Sequence, residues 1–163
     1  MTQQELIADN LARNLEMLNW TLGDFTDQEM LTRPVPAANH AAWQLGHLIA
    51  AETSLINSVT PGALPELPAG FAEKFSKDKS KSDDPKAFPP KKELIELLTK
   101  TRQKTVAWAK GLSDADLAKP VIGNMQQMCP TVAHMALLQI GHIAMHVGQF
   151  QVIRRKLGKP VLF

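Results

Sequence analysis

The sequence predicts an all-α fold, a four-helix bundle with a long crossover between its second and third helices. Three observations carry that expectation. Four segments repeat apolar residues every three to four positions. No segment alternates with period two for long enough to make a strand. The 163 residues, 44% apolar and 21% charged, have the length and composition of one globular domain, residues 1–163, with a sizeable core.

The first helix is read from about Gln3 to Leu22, with Ile7, Leu11, Leu15 and Leu18 on one face and Gly23 placed to end it in the left-handed conformation. The second starts with Asn39 as N-cap and runs to about Ser58, before Pro61-Gly62. The third follows Pro89-Pro90 and turns Leu94, Leu97, Leu98, Thr101 and Trp108 inward. It pairs Glu96 with Lys100 on its outer face and closes at Gly111. The fourth follows Thr131 as N-cap and runs to Leu157. Arg154, Arg155 and Lys156 suit the negative end of its dipole, and Gly158 and Pro160 stop it.

Two connections share a pattern. Thr26 to Glu29 reads as a capping box before Pro34-Val35, and Ser113 to Asp116 opens a similar turn before Pro120-Val121. Each leads into a histidine-bearing helix, so the chain reads either as two copies of helix, capped turn, Pro-Val and helix, or as two linkers of similar chemistry. The third connection, 59–90, holds six prolines and a run of Lys and Ser. At more than the ~12–15 residues usual for a structureless loop, it reads as a solvated crossover and, without excluding that, as a flap over the bundle mouth anchored by Phe71 and Phe75.

Composition removes several function classes. A net charge of +2 gives no ground for a nucleic-acid partner or a membrane surface. The longest apolar stretch, Ala41 to Ala51, is interrupted by Gln44 and His47 and falls well short of the ~20 residues of a membrane span. Met1 to Asn10 has no basic or long apolar run, and with a single cysteine the expectation is a cytoplasmic chain. Tyrosine is absent. Cys129 is alone, so no CxxC motif or internal disulfide exists, and without a His or Asp partner at informative spacing it reads as a structural thiol.

Five histidines remain for polar chemistry. His142 and His146, four apart, lie about 40° apart on one helix face, a spacing from which both imidazoles reach one ion. That face, with Met135, Leu138, Met145/His146, Gln149 and Val152/Ile153, is the stripe a bundle turns inward. The spacing fits a metal pair, and equally two core histidines hydrogen-bonded to neighbouring helices. His47 shares its face with Trp43, Ala50, Ala51 and Ser54, small neighbours that leave room for an ion, and taken alone reads as a satisfied core residue. His40 lies seven residues earlier, ~10 Å along the axis, which makes it a helix-end or rim residue. His134, eight residues before His142 and about 80° round the helix, is a reserve ligand.

The stretch His142-Ile-Ala-Met-His146-Val-Gly148-Gln149, with Arg154 to Gly158 after it, resembles the DinB/YfiT-like family of metalloenzymes. Pro34-Val35-Pro36 and Ala42 to His47 are similar to that family's second helix, and Phe71 to Phe75 to its crossover. The resemblance implies a bundle with an unusual connection order, a homodimer, and one zinc or nickel ion held by His47, His142 and His146. It further implies that Gly148 admits a neighbouring helix and that Gln149 stands behind the ligands or at the mouth; His40, His134 and Trp43 are weaker candidates for the pocket rim.

Relatives of this kind include S-transferases that use low-molecular-weight thiols. The function expected is therefore metal-dependent attack of such a thiol on a small electrophilic substrate, in detoxification or stress response. A metal-dependent hydrolase and a non-catalytic metal- or ligand-binding bundle are the alternatives. Against the hydrolase, no glutamate accompanies the histidine pair, and Glu52 lies about 140° round its helix from His47.

Overall fold

In the computed structural model, which describes residues 1–162, four long helices form the bundle: α1 (Gln3–Leu22), α2 (Ala41–Val59), α4 (Lys91–Gly111) and α6 (Val132–Lys156). Two short ones, α3 (Phe71–Lys74) and α5 (Asp114–Ala118), lie in the connections. No named strand occurs among the described residues; Pro120 and Thr131 form an isolated bridge at the foot of α6. No described helix is long and apolar enough to cross a membrane.

The helix order is the notable feature. α1 packs against α4 and α6, and α2 packs against the same two. Helices α1 and α2, consecutive long helices in the chain, therefore lie across a diagonal, as do α4 and α6. Each diagonal is spanned by a capped turn. Thr26 and Glu29 exchange backbone-to-side-chain hydrogen bonds, and Ser113 and Asp116 do the same. Both halves thus make the same kind of connection, which accounts for the paired sequence pattern. The crossover 59–90 then joins neighbours, α2 to α4.

Leu11, Leu18 and Leu22 of α1, Leu45, Leu48 and Ile49 of α2, Leu94 and Leu98 of α4, and Ile143, Phe150 and Ile153 of α6 are buried in the interior. The crossover belongs to this core. Phe71, Phe75 and Phe88 are buried among α2 residues, with Phe75 packed where Gly46 has no side chain; a Cβ there would overlap its ring. Phe71 and Phe75 are thus the buried anchors expected of the crossover, while most residues between Ala72 and Lys86 stay exposed. Arg33 fastens its far side by an ion pair to Asp83 and by donating to the carbonyls of Ser80 and Ser82.

Several local expectations are corrected. The N-cap of α2 is His40, not Asn39: its Nδ1 accepts from the Trp43 amide at 3.1 Å. Gly23 is right-handed, with φ −53°, because the chain tightens into a turn through the Trp20 carbonyl. Glu96 pairs with Lys92, one turn earlier, rather than Lys100. Arg154 is not simply a solvated charge at a helix end: it is 2% exposed and clamps Asp24 and the Thr21 and Pro160 carbonyls. Gly148 is exposed, and a Cβ added to it would meet nothing within 4 Å, so no helix among the described residues of this chain packs against it.

Candidate metal centre

His40 opens α2, so His47 stands about two turns into that helix, where α2 runs beside α6. His142 and His146 face it from the middle of α6. One ring nitrogen from each of the three lies within 4.8 Å of the others. The Nε2 atoms of His142 and His146 are 3.2 Å apart, close to the ~3.3 Å expected for two nitrogens of one tetrahedral ion with bonds of ~2.0–2.1 Å. The His47 ring centroid lies 5.2 Å from that of His142 and 5.6 Å from that of His146. Sequence spacing left the pair open between ion and core hydrogen bonds; the fold adds the third imidazole from another helix.

The tautomer of His146 follows from its neighbour. Its Nδ1 faces the Gln44 side-chain oxygen at 2.6 Å, while the Gln44 amide nitrogen donates to the Asn39 carbonyl at 2.7 Å. With the amide held in that orientation, Nδ1 carries the proton and Nε2 offers its lone pair to the cluster. A hydrogen-bonded imidazole of this kind is the usual support behind a metal-ligating histidine.

Burial keeps the three rings neutral. It pushes His146 down to about 3 and His142 to about 4, and lowers His47; neighbouring imidazoles reinforce the first two, Arg102 also acts on His142, and Lys77 on His47. Neutral imidazole is the form that ligates. Trp43 stacks on His47 with centroids 5.0 Å apart and planes at 7°, and its indole N–H donates to the Ser76 carbonyl at 3.1 Å. One tryptophan thus holds both the ring and the crossover. The donor set, the spacing and the oriented tautomer fit a divalent cation bound by three nitrogens.

The remaining sequence candidates divide. His40 caps α2, and its other nitrogen, Nε2, donates to the Ser82 carbonyl at 3.0 Å, so it fastens the crossover from the helix end. Gln149 is half-buried one turn past His146. His134 is exposed and bonded to Thr131 at 2.8 Å, apart from the cluster. Cys129 is buried with Ile56, Leu64 and Met135, and burial raises its thiol, the setting of an inert cysteine.

The DinB_2 profile, which describes the DinB superfamily, matches residues 10–150. The chain belongs to the DinB superfamily. This DinB chain has no match among curated proteins. It resembles a solved conserved protein from Enterococcus faecalis at 20% identity and a TM-score of 0.71, over 98% of this chain and 99% of that one. It also resembles YfiT from Bacillus subtilis, described as a probable metal-dependent hydrolase with an unusual four-helix bundle topology, at 18% identity and a TM-score of 0.66, over 96% and 89%. At these identities the likeness is one of fold.

Sequence reasoning missed Gln44 and Arg102. Gln44 is one turn before His47 on the same face, and that i,i+3 spacing was its signal. Arg102 continues the buried row Leu94, Leu98, Thr101, Thr105 and Ala109 of α4. Its side chain is 1% exposed, and its Nη2 donates to Glu52 at 2.8 Å. Thr105 also donates to Glu52, so both carboxylate oxygens are engaged.

Proposed function

We propose that His47, His142 and His146 hold one divalent ion, zinc or nickel, and that the centre activates a low-molecular-weight thiol for transfer to a small electrophile. The observation carrying this reading is the convergence of three neutral imidazole nitrogens from α2 and α6, with no fourth histidine, cysteine or carboxylate grouped with them among the described residues. Three protein ligands suit an ion that keeps a position for a substrate, and such an ion lowers the pKa of a bound water or thiol toward neutrality.

The chain's own groups have defined parts. Gln44 holds the His146 proton on Nδ1, Trp43 fixes the His47 ring, and the crossover carrying Phe75 covers this side of the bundle. Glu52 is turned to Arg102 and Thr105, about 140° round α2 from His47, and is not grouped with the three histidines, so it is not placed as a base for the centre. Hydrolysis at such a centre works best with a nearby general base, whereas a thiol acidified on binding can lose its proton to solvent. This difference favours thiol transfer.

The second reading, a metal-dependent hydrolase, is favoured by the fold likeness to YfiT and its description. Metal-loaded protein incubated with monochlorobimane and a panel of thiols tests the first reading, and an ester panel tests the second. Thiol-dependent conjugation abolished by His146→Ala is the result expected. Ester turnover without conjugation would overturn the transferase assignment.

A further inference from the structure

Below the histidine cluster, the bundle interior holds an ion pair with unspent donors. Arg102 Nη2 donates to Glu52 and lies 3.4 Å from the Gln139 carbonyl, while Nε and Nη1 are buried with no hydrogen-bond partner among the protein groups. A buried ion pair adds little stability over apolar residues of similar size, and unmatched buried N–H groups cost free energy. Stability alone therefore gives no reason for this guanidinium.

Its position does. Gln139 precedes His142 by three residues on α6, about 4.5 Å along the axis, and Glu52 follows His47 by five on α2. Arg102, which meets both, thus reaches from α4 to a level about one turn below the three rings. Lys77 is exposed and follows Ser76, whose carbonyl accepts from Trp43 beside His47. No carboxylate among the described residues is grouped with the three histidine nitrogens. A guanidinium with two buried donors left unpaired about one turn from three candidate ligands is placed to take an oxyanion.

We propose that Arg102 is a specificity-determining residue, whose free Nε and Nη1 hydrogens bind a carboxylate or similar oxyanion on the molecule taken by the three-histidine centre. The inference rests on the metal reading above and narrows the substrate to the acidic class.

The test uses cobalt(II)-loaded protein, 3-mercaptopropionate and 2-mercaptoethanol, with binding followed by the thiolate-to-cobalt absorption band. The acidic thiol should bind at least ~10-fold more tightly, the size of one charge-assisted hydrogen bond. That advantage should vanish in Glu52→Gln/Arg102→Met, which removes both charges together, and in Arg102→Lys, which keeps the charge but loses the planar donors. Lys77→Met should reduce it less and in a salt-dependent way. Equal affinities in the wild type, or an advantage unchanged in an Arg102 variant that takes up cobalt fully, overturn the proposal. If cobalt binds but neither thiol gives the band, the thiol reading fails. Acetate against acetamide on the same protein then decides: an Arg102-dependent preference for acetate supports the anion subsite, and indifference overturns it. A wild type that takes up no cobalt overturns the metal reading and this inference with it.

Discussion

The side-chain oxygen of Gln44 lies 2.6 Å from Nδ1 of His146, and the Gln44 amide nitrogen is held by the Asn39 carbonyl. One residue at the start of α2 thereby sets the tautomer of a histidine on α6 and leaves its Nε2 lone pair facing two other imidazoles.

Replacing Gln44 should therefore weaken metal binding without removing any ligand. Gln44→Leu is expected to lower affinity about 10–100-fold, the usual effect of removing a support behind a ligating histidine. Gln44→Glu, which still accepts from Nδ1, should lose less. Competition with a chromogenic chelator measures both; equal affinity in Gln44→Leu would show that the contact does not orient His146.

Gly46 and Phe75 form a coupled pair, since a Cβ at Gly46 would enter the Phe75 ring. Gly46→Ala should destabilise by about 1–3 kcal/mol and raise trypsin cleavage at Lys77, Lys79 and Lys81. Phe75→Ala alone should cost about 3–5 kcal/mol. Adding Gly46→Ala to Phe75→Ala should cost much less than in the wild type, because the clash partner is gone. Additive losses in urea unfolding would place the crossover elsewhere.

The buried pair Glu52 and Arg102 should behave asymmetrically. Arg102→Met leaves a carboxylate uncompensated in the core and should cost about 3–5 kcal/mol, whereas Glu52→Met/Arg102→Met should recover most of that loss. Chemical denaturation of the three proteins checks it. A double variant as unstable as the single would mean that the pair contributes through packing alone.

Much of this was legible in the sequence, for physical reasons. The four helices follow from apolar spacing and from stop signals such as Gly111 and Gly158, whereas the inward stripe of α6 left Met145 and His146 together, and only the fold turns Met145 out and His146 in. The cap of α2 was misplaced by one residue because Asn39 is the better intrinsic capper, while burial lets His40 use one ring nitrogen for the helix and the other for the crossover. Arg102 escaped notice because a charged residue in an apolar row looks like the edge of the row; only Glu52, on another helix, makes it an interior residue. Gly46 carried no signal of its own in the sequence, and it is the seat of Phe75. Local periodicity encodes the helices and their faces, while these pairings exist only once the diagonal connections are made.

Acid should weaken the tie at the end of α6. Arg154 holds the Asp24 carboxyl below its usual value, chiefly by hydrogen bonding. A depressed carboxyl contributes stability that is present above its unfolded pKa of ~3.9 and lost as pH falls through the lower folded value. Asp24→Asn should therefore melt below the wild type at neutral pH, by an amount kept small by the exposure of Asp24, and the gap should close as pH falls below the usual carboxylate range. A gap of constant size across pH would assign the effect to the amide's geometry instead of the charge.

The central claim is that three histidines on α2 and α6 form one metal centre. Metal per chain, measured by plasma mass spectrometry on untagged protein purified without chelators, tests it most directly. The account predicts one zinc or nickel per chain in the wild type, lost in His47→Ala and in His146→Ala while both variants keep their helical circular dichroism. Stoichiometric metal retained in either variant, or none in a folded wild type supplied with both ions, would contradict it.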